Sequence, residues 1–170
     1  MRTIKKVASH IFIDGFGGMT QGLFATLIIG TMIQQIGLLI GGSTGNVIYL
    51  LGKAAAALTS AGIGVGVAVK YGESPLVTVS AAVAAMVGGY AGKITAGTFF
   101  VDGNAVLAGP GEPLGAFIAA FAGITCGHLV SGKTKVDIIV TPVITIGAGS
   151  VVGLLVGPPI SQMMTGLGSI

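Results

Sequence analysis

In a strongly apolar chain with eight basic and five acidic residues out of 170, the positions able to do chemistry can be inspected one by one. Asp102, Asn104 and Glu112 share a single stretch, interleaved with Gly103, Gly109 and Gly111. A charged side chain at membrane depth costs about 2.5–3.5 kcal/mol by insertion scales, so one that persists there is a functional candidate. Glycines beside it free the backbone for conformations that turn peptide N–H and C=O groups toward a ligand. Asp102, Asn104, Gly109, Gly111 and Glu112 are therefore the candidate substrate-binding set. Glu112 and Asn104 would bond to hydroxyls of a polar solute. Lys53, between Gly52 and an alanine run, is the sixth candidate. The competing readings are an ordinary outer loop in which Glu112 merely caps the next helix, and a Lys53 that snorkels to the interface. His10 and Asp14, one helical turn apart, could share a proton or simply face headgroups. His128 reads as a packed histidine near a helix end. Two histidines and the lone Cys126 match no metal-ligand spacing. Gly15-Phe16-Gly17-Gly18 lacks the lysine and the preceding strand of a phosphate loop. No nucleophile, base and oxyanion set assembles, so neither an enzyme nor a cofactor is expected.

The elements that must position these residues follow from composition. Hydrophobic types make up 52% and charged types 8% of the chain, with a mean hydropathy of +0.98. A soluble domain carries about a quarter of its residues as charges. The composition excludes a soluble globular domain, a disordered chain and a nucleic-acid binder. The fold class expected is an all-α, polytopic membrane protein in a single domain over residues 1–170. Thirty-one glycines without a collagen period point to closely packed or interrupted helices. Thr20 to Ile40 supplies the roughly 20 apolar residues that cross about 30 Å of hydrocarbon. Further spans are expected over Val47–Val69, interrupted at Gly52-Lys53; from Pro75 to about Gly92; over Leu114–Val130; and over Ile138–Val156, closed by Gly157-Pro158-Pro159. Residues 1–14 read as an interfacial helix, with Ile4, Val7, Ala8, Ile11 and Phe12 on one face. Residues 94–113 cannot form a continuous span and read as a re-entrant or broken segment. Five spans with the N-terminus in the cytoplasm place Arg2, Lys5, Lys6, Lys70, Lys133 and Lys135 on the inside, with Lys93 outside. An odd span count suggests half of an inverted-repeat transporter, which would form a homo-oligomer or pair with a second half.

Three runs carry a family resemblance. Gly103-Asn104-Ala105-Val106-Leu107-Ala108-Gly109-Pro110-Gly111-Glu112-Pro113-Leu114-Gly115, Ser131 through Pro142, and Gly157-Pro158-Pro159-Ile160-Ser161 resemble bacterial enzyme IIC proteins of the phosphoenolpyruvate-dependent sugar phosphotransferase system. The chain is similar to the N-terminal half of those proteins. The resemblance implies a permease in the bacterial inner membrane, moving a small polar solute of the sugar class and working with separate phosphocarrier subunits that undergo any phosphorylation. The alternatives from other classes are a non-transporting membrane scaffold or regulator, and a narrow channel; a wide pore is disfavoured because so few residues could line it.

Overall fold

The computed structural model describes residues 9–168. The first helix, α1, runs Ile13–Ile40 and is entered through a π-type turn over His10–Gly15, with a second over Phe24–Ile28. The expected interfacial helix lies mostly outside the described residues; from His10 onward the backbone leads without a break into α1. At 1.5 Å per residue α1 is about 42 Å long. It ends where Gly41 and Gly42 both take positive φ, at 66° and 63°.

The chain then doubles back as α2 (Gly42–Ala57) and α3 (Thr59–Lys70), two helices set 53° apart. The break falls at Leu58, not at Gly52-Lys53 as the sequence suggested. Gly52 is a contact glycine: a Cβ there would lie 2.6 Å from the Gln34 nitrogen of α1, so it serves packing. At the true break the Thr59 hydroxyl donates back to Ala56 O at 2.6 Å, one of the local side-chain bonds by which threonine competes with the helical ladder.

Ser74 caps α4 (Pro75–Gly89), its hydroxyl accepting Val77 N–H, and Pro75 occupies the first turn where a missing N–H is harmless. Tyr90, at φ −106° and ψ 9°, separates α4 from the short α5 (Ala91–Thr95). A two-stranded hairpin follows, β1 (Phe100–Val101) against β2 (Asn104–Ala105). Then come α6 (Pro113–Val130) and α7 (Asp137–Gly168), which passes through Pro142, Pro158 and Pro159. The Gly157-Pro158-Pro159 run, expected to close the last span, lies inside this helix.

Among the described residues three helices, α1, α6 and α7, are each long and apolar enough to cross a membrane, or four if the bent α2–α3 pair counts as one span. The third expected span, from Pro75 to about Gly92, is α4 with 15 residues, about 22 Å, and falls short of the hydrocarbon thickness.

The core lies between α3, α4 and α6, where Ile63, Val67, Val77, Ala81, Ala85, Ala116, Phe117, Ala120 and Ile124 are buried. Small residues bring the axes together. Every fourth residue of α7 from Thr141 through Thr145, Gly149 and Gly153 to Gly157 is buried. Gly149 packs its Cα where a methyl would meet Ala119 O at 2.6 Å. Large apolar residues point outward instead, Leu39, Ile138 and Leu155 being 86%, 73% and 72% exposed. This inversion of the soluble pattern is what a hydrocarbon solvent requires.

Candidate functional site

Three interruptions of the chain meet at one place: the α2–α3 break at Leu58, the α4–α5 break at Tyr90, and the segment Ala108–Glu112 leading into α6. Side chains from the two breaks hold the segment by its carbonyls. Ser60 Oγ donates to Pro110 O at 3.0 Å. The Tyr90 hydroxyl donates to Gly109 O and also reaches Ala57 O at 3.3 Å. Lys93 Nζ donates to Ala108 O, and its ammonium lies 5.4 Å from the centroid of the Tyr90 ring. The Glu112 N–H donates to Gly89 O at 2.7 Å, a carbonyl left over where α4 ends. Gly111, at φ 75°, has Ser60 Oγ 2.5 Å from where a Cβ would stand. The segment can close over Ser60 only with glycine here.

Glu112 caps α6 with extended backbone, and Pro113 follows as the first helical residue. The side chain is half-buried, and its Oε1 is buried with no hydrogen-bond partner. A buried acceptor left unpaired costs about 1–3 kcal/mol, more when charged. The acceptor capacity of Glu112 Oε1 is thus unused among the described residues. The neighbouring backbone is irregular; Ala108 and Gly109 are exposed, while Pro110 and Gly111 are half-buried where they meet Ser60 and the end of α4.

Of the six residues singled out from sequence, the fold brings three together at this place: Gly109, Gly111 and Glu112. Asp102 and Asn104 stand elsewhere, at the exposed tip of the hairpin. Asp102 (φ 50°) and Gly103 (φ 78°) form its two-residue turn, and Asn104 Nδ2 donates to Asp102 O at 3.3 Å. Lys53 is exposed on α2. Ser60 and Tyr90 were not picked out in the sequence. A serine and a tyrosine carry no charge cost, and only Tyr90's place in Gly88-Gly89-Tyr90-Ala91-Gly92 hinted at a break.

Other polar groups gather at the opposite end of α3 and α6. His128 Nδ1 lies 3.0 Å from Glu73 Oε1, and the hydroxyls of Ser74 and Ser131 are 3.0 Å apart. Asp137 opens α7 and accepts the Gly132 N–H at 2.9 Å and the Thr141 hydroxyl at 2.6 Å. These contacts tie the α3–α4 turn to the α6–α7 turn. Among the described residues no group of three or more His, Cys, Asp or Glu side chains could hold a metal ion.

Helices of membrane-spanning length, packed through small residues around a broken-helix polar site, define a polytopic all-α membrane protein. More narrowly, the chain belongs to the EIIC family of the phosphotransferase system, whose model, described as "Phosphotransferase system, EIIC", matches residues 13–170. EIIC domains are the membrane permease component of that system rather than the phosphorylating subunit. No curated protein and no solved structure matches the chain.

Proposed function

We propose that this protein is a permease subunit that binds a small polar solute, a sugar by family, against the Ala108–Glu112 segment. The Glu112 carboxylate would accept a hydrogen bond from a solute hydroxyl. The observation that carries this is the buried, unpartnered Glu112 Oε1 at the meeting of three chain breaks. Depth along the helices supports it. Ser60 is ten residues before Lys70, and Glu112 lies 18 residues before Val130, so the segment sits about 15–27 Å from the end of the molecule where both helices finish. With that end at one membrane interface, the segment falls inside a slab of about 30 Å. In this reading the segment is re-entrant, its irregular backbone tied by its carbonyls to Ser60, Tyr90 and Lys93 and its exposed face lining a polar cavity.

The end bearing Lys70, Lys133 and Lys135 would face the cytoplasm of a bacterial cell, by the excess of lysine in short turns. Phosphocarrier subunits would meet the permease there and take part in any phosphorylation. Asp102 and Asn104 stand at the exposed hairpin tip and Lys53 is exposed on α2, so none of the three is assigned a part in this site.

The test is binding of a panel of sugars to the purified protein, read by thermal shift and calorimetry, for the native chain and for Glu112→Gln. A sugar that stabilises the native chain should bind the variant more weakly by about 1.5–3 kcal/mol, the range for a hydrogen bond to a charged group, with folding retained. Equal affinity in the variant removes Glu112 from the site. A stable native protein that answers to no solute would favour the scaffold.

A further inference from the structure

Where α1 crosses α3 the two helices leave a groove of about 380 Å³ between them. Gln21, Ala25 and Thr26 of α1 form one wall and Val65 and Val69 of α3 the other, over a glycine floor. Gln21, Ala25, Val65 and Val69 are exposed, so no described part of the chain covers it. The groove follows from the glycines. A Cβ on Gly18 would stand 2.5 Å from Gly66 O, so the backbones touch and the side chains on their flanks stand apart as walls. Thr26 commits its hydroxyl to Gly22 O at 2.7 Å, which leaves the deep part of the groove apolar. An unfilled cleft forfeits the dispersion contacts of its lining.

One end of the groove is cationic. Lys70 closes α3 and lays its stem along α1, its Cε 3.8 Å from where a Cβ on Gly17 would stand, one turn before Gln21. The ammonium is exposed and has no ion-pair partner among the described residues. The carboxylates at this end of the molecule are engaged elsewhere: Glu73 by His128, Asp137 by the Gly132 N–H and the Thr141 hydroxyl, while Asp14 acts on the Tyr71 phenol. Lys70 is therefore available to an anion at the mouth of an apolar groove.

Length identifies the occupant. From Gly17 to Thr26 is nine residues, about 14 Å along α1, close to half of a hydrocarbon core of about 30 Å. Beyond Thr26 the neighbour of α1 changes. The chain bends by 53° between α3 and α2, and Gly30 packs against Gly52 of α2. A partner helix crossing the membrane would need a face about twice as long. The acyl chain of a lipid in one leaflet ends near the midplane, as the groove does.

We propose that this groove binds an anionic phospholipid, one acyl chain lying between Ala25 and Val65 and the headgroup phosphate resting against the Lys70 ammonium. Gln21, one turn deeper than Gly17, can donate its amide to the ester carbonyls. Basic pockets between spanning helices on the cytoplasmic side are where such headgroups collect, and in the orientation proposed above this end is cytoplasmic. The charge complements an anion and the body complements hydrocarbon, so the occupant is an amphiphile rather than a free phosphate.

Native mass spectrometry of the full chain in mild detergent, titrated with dioleoylphosphatidylglycerol or dioleoylphosphatidylcholine, tests this. One phosphatidylglycerol per chain should be retained at concentrations where phosphatidylcholine is lost. Lys70→Gln should lower the phosphatidylglycerol affinity about fivefold, the effect of one lysine near an anionic headgroup. Lys135→Gln, which removes an exposed lysine outside the groove at the same end, should leave it unchanged. Ala25→Phe would fill the groove from an exposed position and should abolish retention of the lipid. Val65→Phe does so from the other wall and decides the matter if the first variant misfolds. Equal retention of the two lipids would overturn the proposal, as would equal losses in the two lysine variants, an adduct surviving in a folded phenylalanine variant, or displacement by glycerol phosphate. So would cross-linking of Ala25→Cys to a second copy or another protein in native membranes, because protein would then fill the groove. None of these readouts depends on the transported solute.

Discussion

Glu112 closes the N-terminus of α6 through its backbone while its side chain is held half-buried with one oxygen unbonded, and the residues around it explain how that is sustained. Tyr90 is the principal tie: its hydroxyl reaches both Gly109 O and Ala57 O. Tyr90→Phe should cost about 1–3 kcal/mol, the penalty for leaving a buried acceptor unpaired. Thermal melting in detergent checks this, and an unchanged midpoint would mean that the segment is held elsewhere. Tyr71 makes a different prediction. It lies just past α3, its hydroxyl 2.6 Å from where a Cβ on Gly15 would stand. Burial pushes its phenol above the ordinary value of 10, and the Asp14 carboxylate adds to the shift. The folded state thus favours the neutral phenol. This contribution is complete below the unfolded value near pH 10 and is lost as pH rises through the higher folded value. Tyr71→Phe should make the fall in stability above about pH 10 shallower. A fall of the same steepness in the variant would show that other groups cause it.

At the scale of elements, glycine pairs decide how α1 and α3 meet. A Cβ on Gly18 would stand 2.5 Å from Gly66 O, and one on Gly66 would run into Gly18 O; Gly22 and Gly62 face each other in the same way four residues along. The obstacle is backbone on both sides, which cannot rotate away as a side chain can. Gly66→Leu should therefore destabilise the protein by about 1–3 kcal/mol or more, as overpacking does, whereas Gly147→Ala, with open space about its Cα, should be neutral or stabilise α7 by up to about 1 kcal/mol. Melting both variants side by side separates packing from propensity; equal effects would contradict the close α1–α3 approach. The hairpin is the element that sequence inspection overlooked. Asp102-Gly103 between Phe99-Phe100-Val101 and Asn104-Ala105-Val106 is the favoured two-residue turn signal. The two glycine-rich runs beside it drew the whole stretch into one broken segment.

Across the whole molecule, the two ends differ in chemistry. One end carries Lys70, the Glu73–His128 pair, Lys133, Lys135 and Asp137, and the other carries the Gly41-Gly42 turn with Ser43. With the first end cytoplasmic, Lys135→Cys on a Cys126→Ala background should resist a membrane-impermeant thiol reagent added to intact cells, while Ser43→Cys should react. Both positions are exposed, so accessibility within the protein does not limit either. Reaction at Lys135→Cys from outside would invert the proposed orientation, and with it the face offered to phosphocarrier partners.

What the amino-acid order determined by itself was the solvent, the helices and most of their ends. The scarcity of charge, the long apolar runs, Ser74-Pro75, Glu112-Pro113 and Asp137 are local signals, because hydrophobic length and capping depend on near neighbours. Glu112, Gly109 and Gly111 were legible as a polar, flexible run for the same reason. Only the tertiary structure decided that Ser60 and Tyr90 grip that run, that Asp102, Asn104 and Lys53 lie elsewhere, that α2 breaks at Leu58, and that α7 continues through Pro158 and Pro159. Each of these depends on what a distant segment offers: a carbonyl to receive a hydroxyl, or a neighbouring backbone close enough to hold a glycine or a proline-containing helix in place. Such complementarity between residues dozens of positions apart leaves no periodic trace along the chain.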